Sequence, residues 1–234
     1  MTERLYEQDA YLRRCAAVVT AAREGGVVLD RTVFYAMGGG QPGDVGFLEW
    51  GDGRRLAVLD TRKGDGRDVV HVVEAGAPLP PAGTPVEAVI DWERRHRHMR
   101  MHTCLHLLCA LVDAPVTGGN LTTEKGRLDF DLPESTVGRE SLGEALNALV
   151  ARDVATAVEW ISEARLDAQP ELVKTMSVAP PRGAGQVRLL SIPGVDLQPC
   201  GGTHVARTGE IGRVRVTKIE KKSRLNRRIA IALE

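Results

Sequence analysis

Two pairs of metal-ligand side chains stand far apart in the chain: His102-Thr-Cys-Leu-His106 and Cys200-Gly-Gly-Thr-His204. The first pair places histidines at i and i+4 within an apolar run of Met101, Leu105, Leu107, Leu108 and Leu111. On a helix that spacing sets both imidazoles on one face, about 6 Å apart at the backbone. The second pair is separated by two glycines and a threonine, which suits a tight loop with open space beside its backbone. Two nitrogens from a helix, with a sulfur and a nitrogen from a loop, make a borderline-soft tetrahedral set that favours Zn²⁺. Either pair alone has an ordinary explanation, a packed histidine or a glycine turn. One pair on a helix and the other between strands point together to a single site. Four protein ligands close a tetrahedron, as in structural zinc, whereas catalytic zinc keeps a position open. The histidine-rich set and the space beside Gly201 and Gly202 favour chemistry, and the sequence leaves both readings open.

The elements that must position these pairs follow from hydrophobic periodicity. Short β-rich segments cut by Gly and Asp occupy the first third: 13–21, 26–30, 46–50, 55–60, 68–73 and 85–91. Their spacing predicts a small β-barrel over residues 1–91. From 92 to 234 the pattern predicts an α+β domain with a mostly antiparallel sheet packed on helices. It opens with a helix over 92–112 that carries the histidine pair. A strand over 126–132, a helix over 141–155 and a strand over 157–163 follow. A short helix over 166–174, limited by Pro170, leads to strands over 187–192, 211–220 and 227–233.

Composition bounds the class. The 234 residues carry 31 basic and 31 acidic side chains and 43% hydrophobic residues, which describes a soluble globular protein with ample core. No apolar run reaches the ~18 residues of a membrane span, and the N-terminus resembles no signal peptide, so a cytoplasmic protein without membrane association is expected. Four irregularly spaced cysteines do not form a disulfide scaffold.

Zero net charge argues against a generic polyanion binder, but the basic residues are unevenly placed. Arg94, Arg95, Arg97 and Arg100 lead into the first histidine pair, while Lys218, Lys221, Lys222, Arg224, Arg227 and Arg228 follow the second. Basic flanks beside both pairs predict a local phosphate-attracting surface. A further segment, Phe34-Tyr-Ala-Met-Gly38-Gly39-Gly40-Gln41-Pro-Gly-Asp44-Val-Gly46, brings bare backbone amides to a loop. It lacks the spacing of a dinucleotide site and the lysine of a P-loop. Gln41 on that loop is a candidate donor and acceptor toward a neighbouring site.

Taken together, His102-Thr103-x-x-His106, Cys200-Gly-Gly-Thr-His204-Val-x-x-Thr208-Gly-Glu-Ile-Gly212, the Phe34–Gly46 stretch and the closing Asn226-Arg227-Arg228-Ile229 resemble the editing domain of alanyl-tRNA synthetase. They resemble still more its free-standing AlaX-type relatives, over nearly the whole chain. The resemblance implies a β-barrel joined to an editing domain, with one Zn²⁺ held by His102, His106, Cys200 and His204. It also implies hydrolysis of mischarged tRNA(Ala), chiefly seryl- and also glycyl-tRNA(Ala), in trans, because the chain shows no aminoacylation domain. Ser223-Arg224-Leu225 before Asn226 departs from the glycine-richer turn expected there.

An editing pocket of this kind has to bind the hydroxyl that distinguishes serine from alanine, because a synthetic pocket rejects that addition by only ~10²-fold. Thr103, beside a zinc ligand, and Gln41 are the candidates for that role. The alternative for Thr103 is a helix hydroxyl bonded to its own i−4 carbonyl. Zinc would either activate water or anchor the substrate amine, with the Gly201-Gly202 backbone holding the terminal adenosine or the developing oxyanion and Gly39 and Gly40 as further substrate-binding candidates. Arg94, Arg95, Arg97, Lys221, Lys222, Arg227 and Arg228 are candidate contacts to acceptor-stem phosphates. Three competing readings are a zinc-stabilised tRNA-binding module without catalysis, a small-ester metallohydrolase and a threonyl-type editing domain.

Overall fold

A computed structural model of the chain describes residues 1–133, 138–176 and 185–234. It divides into two compact units, Met1–His96 and Arg97–Glu234. The architecture is α+β, with mostly antiparallel sheets and three α-helices among the described residues.

The first unit contains β1 (Glu3–Arg4), β2 (Arg14–Arg23), β3 (Gly26–Leu29), β4 (Arg31–Thr32), β5 (Gly46–Trp50), β6 (Arg54–Val58), β7 (Asp60–Lys63), β8 (Val69–Val72) and β9 (Pro85–Ile90). Seven of them form one antiparallel sheet in the order β6-β5-β9-β2-β3-β8-β7, and β1 pairs in parallel with β4. A bulge between Val19 and Ala21 bends the ten-residue β2, whose first half pairs with β9 and whose second half pairs with β3. β6 and β7 form the two edges. No ladder joins them among the described residues, so the expected closed barrel is not found. Alternation drives the layering: Val86, Ala88 and Ile90 of β9 point into the same core as Val19, Val27, Leu29, Leu48, Leu56 and Phe34.

A buried histidine sits in that core. His71 Nδ1–H donates to the Val27 carbonyl at 3.0 Å. Its Nε2 accepts the Thr32 hydroxyl at 2.8 Å, and that oxygen accepts the Phe34 amide at 3.0 Å. Protonation would turn Nε2 into a donor and take away the acceptor that the Thr32 hydroxyl proton now uses. Burial lowers the ring to about 4, against 6.5 for a free histidine, with the Val27 bond acting in the other direction. Because the folded value lies below the unfolded one, the unfolded chain takes up the proton first. The contribution is therefore fully present above pH 6.5 and is lost as pH falls toward about 4. Linkage puts its size at roughly 3 kcal/mol. Denaturant unfolding at pH 7.5, 5.5 and 4.5 checks this, with His71→Asn expected to flatten that part of the acid limb. Equal acid slopes in both proteins would refute it.

Asp91 opens α1 (Trp92–Leu111), its carboxylate accepting the Arg94 amide at 3.0 Å. Beyond His96 the second unit contains the rest of α1, then β10 (Val116–Leu121), β11 (Lys125–Asp131), α2 (Arg139–Ala151), β12 (Ala157–Ser162), α3 (Glu163–Asp167), β13 (Gln186–Ile192), β14 (Asp196–Pro199), β15 (Val214–Lys221) and β16 (Asn226–Leu233). Two antiparallel sheets result, β10-β11-β16-β15 and β12-β13-β14. α1 is buried on all sides from Met101 to Cys109, as a helix between layers must be. Met101 and Leu105 lie against Gly126 of β11, where a Cβ would come within 2.7 Å of the Met101 sulfur. α2 is tied to β15 by the Asn147 amide, which donates to the Val214 carbonyl at 2.8 Å and accepts the Val214 N–H at 3.1 Å. The short helix expected over 166–174 starts earlier, because Ser162 caps α3 by accepting the Arg165 amide at 3.1 Å. Pro170 then opens only a 3-10 turn, Pro170–Leu172. No described helix is long and apolar enough to cross a membrane.

Candidate metal centre

The two ligand pairs meet within the second unit. His102 and His106 project from α1, while Cys200 follows directly on β14 and His204 closes the turn after it. One ligand atom from each of the four residues lies within 4.8 Å of the others. Cys200 Sγ is 3.2 Å from His204 Nε2 and 3.6 Å from His102 Nε2. The ring centroids stand 4.5 to 5.3 Å apart. The three histidines are buried and Cys200 half-buried.

Neighbouring polar groups aim these donors inward. His106 Nδ1–H donates to Asp196 Oδ2 at 2.9 Å, which leaves Nε2 as its ligand atom. Asp196 in turn accepts Gln198 Nε2 and Lys174 Nζ, both at 2.7 Å. Thr103 anchors His204: the hydroxyl donates to the Met99 carbonyl at 2.9 Å and receives the Val205 amide at 3.2 Å, with His204 Nδ1 also at 3.2 Å. That occupies its single proton and both lone pairs. The i−4 bond weighed for Thr103 from the sequence is thus present, together with a hold on the ligand ring. Arg188 Nη1 donates to the Cys200 carbonyl at 2.7 Å and the Gly202 carbonyl at 3.0 Å, which fixes the turn that carries the thiol. Gly202 is buried, whereas Gly201 is exposed with nothing within 4 Å of the place a Cβ would occupy.

The electrostatics suit a cation. Burial raises the Cys200 thiol, but the surrounding His102, His204 and His106 rings bring it well below its ordinary value, toward the thiolate that a metal needs. Burial lowers His106, and the Cys200 and Asp196 negative charges more than reverse that. Converging soft and borderline donors, two of them held in the correct tautomer by outer partners, fit a tetrahedral zinc ion.

Of the other expected site residues, Gly39, Gly40, Gln41 and Arg94 belong to the first unit and Arg228 to β16 of the second. Gly39 and Gly40 are the two central residues of a hairpin turn, with φ of +57° and +81°, closed by paired backbone bonds between Gly38 and Gln41. This is a type I′ turn, which explains the glycines by conformation alone. Gln41 is fully buried within the first unit. Arg94 donates to the Gly43 carbonyl at 2.7 Å, and Arg228 makes a two-point ion pair with Asp129 at 2.7 and 2.9 Å. Arg95, taken from the sequence as a phosphate contact, is 0% exposed and paired with Asp44, so it offers no surface to a phosphate. Asp196, Gln198, Lys174 and Arg188 went unnoticed in the sequence. Counting back in twos from Cys200 along a strand would have placed Gln198 and Asp196 on the ligand face.

The chain is similar along its length to known proteins. The family described as "Threonyl and Alanyl tRNA synthetase second additional domain" matches residues 187–230, which include Cys200 and His204. The family described as "tRNA synthetases class II (A)" matches residues 10–94. The alanyl-tRNA editing protein AlaX-M of Methanosarcina mazei is 35% identical over 246 residues, covering 100% of this chain and 97% of that protein. AlaX-M of Saccharolobus solfataricus is 33% identical over 233 residues, covering 98% of each. An alanine–tRNA ligase of Metallosphaera sedula is 36% identical over 228 residues, spanning 94% of this chain and 25% of the ligase. End-to-end similarity at this level to proteins of matching length shows that the chain belongs to the AlaX-type family of alanyl-tRNA editing proteins.

Proposed function

We propose that this protein is a trans-editing deacylase that hydrolyses the ester of mischarged tRNA(Ala), chiefly seryl-tRNA(Ala) with glycyl-tRNA(Ala) as a second substrate, at a zinc site. The observation that carries the proposal is the convergence of His102, His106, Cys200 and His204 within 4.8 Å in a chain similar along its length to alanyl-tRNA editing proteins. A zinc ion held by these residues supplies Lewis-acid chemistry suited to ester hydrolysis.

The chain's own residues provide the rest. Asp196 and Thr103 hold the His106 and His204 rings, and Arg188 holds the turn that carries Cys200. The uncovered side of Gly201 is where a terminal ribose or ester approaches, with the Gly201-Gly202 backbone as the candidate donor to developing negative charge. Arg94, Arg97, Lys221, Lys222, Arg227 and Arg228 are candidates for phosphate contact, which makes affinity fall as salt rises.

A deacylation panel tests the proposal. Seryl- and glycyl-tRNA(Ala) should lose their amino acid, while alanyl-tRNA(Ala) and threonyl-tRNA(Thr) remain intact. Chelation should stop the reaction and added zinc restore it. Release of threonine instead would assign a threonyl-type editor, and tRNA binding without any release would assign a non-catalytic module.

A further inference from the structure

Asp196 lies directly behind a proposed ligand, on the Nδ1 side of His106, and its side chain is 0% exposed. Both of its oxygens are engaged: Oδ2 accepts His106 Nδ1–H and Gln198 Nε2, and Oδ1 accepts Lys174 Nζ. The lysine arrives from a separate segment that is fixed independently of the cluster. The Lys174 carbonyl accepts the Val116 amide at 2.9 Å, and the Met176 amide donates to the Val116 carbonyl at 2.8 Å, which docks this segment beside the start of β10. The ammonium is therefore delivered to the carboxylate by backbone pairing as well as by its own flexible stem.

We propose that Asp196 and Lys174 are a charge-opposed pair of positioning residues that set how tightly the cluster holds its metal. The inference rests on the reading of the cluster as a zinc site. Asp196 orients His106 and adds a negative charge behind it, which strengthens metal binding. Lys174 neutralises that charge, prevents an unpaired buried carboxylate, and moderates the hold on the ion. A bare carboxylate would make the imidazole a stronger donor and the ion a weaker Lewis acid. The ion pair keeps the ring oriented while limiting that effect.

A merely structural ion pair and a tuning pair make different predictions. Replacing either member of a structural pair lowers thermal stability and leaves the zinc-dependent part of it unchanged. Replacing either member of a tuning pair moves metal affinity, in opposite directions for the two residues. The test titrates zinc into the full chain in competition with a chromophoric chelator, and measures the zinc-induced rise in Tm for each variant. Asp196→Asn, which keeps shape and loses charge, should bind zinc ~10–100-fold more weakly. Lys174→Met should bind it more tightly, on the order of 5-fold, the effect of one unit charge on a divalent ion at high effective dielectric. Lys174→Arg should match the unaltered protein. If Asp196→Asn does not fold, the sign of the Lys174→Met shift still decides. Unchanged affinity in Asp196→Asn, or weaker binding in Lys174→Met, overturns the tuning role alone. An unaltered chain that takes up no zinc overturns the metal-site reading beneath it.

Discussion

Replacing His102 with alanine is expected to abolish deacylation of seryl-tRNA(Ala) while the protein remains folded. The loss should exceed the ~10–100-fold that removal of an outer partner costs, because a ligand itself is gone. His102 Nε2 faces Cys200 Sγ at 3.6 Å and its ring centroid lies 4.5 Å from that of His204, the rings tilted, so its removal opens the donor set at its centre. The fold does not depend on the imidazole. α1 is held by Met101, Leu105, Leu107 and Leu108, all buried, and by the packing of Met101 and Leu105 on Gly126. Truncating a small polar ring should therefore cost far less than the 2–5 kcal/mol of a core Leu→Ala change. Deacylation rate, zinc content and thermal melting together resolve the case. Lost activity with a near-native melt identifies a catalytic centre, and a melt that collapses with the metal identifies a structural one. Full activity in a metal-free His102→Ala protein would exclude the mechanism.

The elements that carry the site were largely legible in the sequence. The histidine pair announced α1 through its own spacing within an apolar run, and in the first unit β5 falls on the expected residues Gly46–Trp50. Strand β10 went unread because Gly118-Gly119-Asn120 has the composition of a turn. The structure accommodates that run with a bulge between Val116 and Gly118, and with Gly119 so close to β11 that a Cβ would fall 2.7 Å from the Leu128 side chain. Single-chain periodicity cannot report a glycine required by a neighbouring strand. The same limit explains Asp196 and Lys174: their partners are 90 and 22 residues from Asp196 in sequence, at no spacing a local pattern could show. It explains Arg95 as well. Four arginines spaced along a helix look like a solvated face until the fold closes around one of them.

That arginine leads to the second large effect. Replacing Asp44 with alanine is expected to destabilise the first unit by ~3–5 kcal/mol, because it strands the Arg95 guanidinium in the core without a counter-charge. Asp44 and Arg95 are 1% and 0% exposed. Arg95 Nε donates to both carboxylate oxygens at 2.8 and 3.1 Å, and Nη2 donates to the same carboxylate. Its remaining donors reach the Val33 carbonyl at 2.6 Å and the Ala10 carbonyl at 2.9 Å. Asp44 also accepts the Tyr35 amide at 2.7 Å, and its own carbonyl accepts the Thr61 hydroxyl at 2.8 Å. One ion pair thus fastens the start of α1 to both sides of the Gly39-Gly40 turn. This places Asp44 in the glycine-rich segment for its counter-charge and the glycines for their backbone, with Gln41 carried between them. Set against a typical total stability of ~5–15 kcal/mol, the loss would remove a large share of what holds the first unit folded. The pair itself need not be stabilising. An Asp44→Leu, Arg95→Met double variant should recover most of what either single change loses, since apolar replacement removes the desolvation cost along with the attraction. A double-mutant cycle on denaturation midpoints measures the coupling. A stability for Asp44→Ala within ~1 kcal/mol of the unaltered chain would show that water reaches Arg95 in solution, and that the glycine turn is held by some other means.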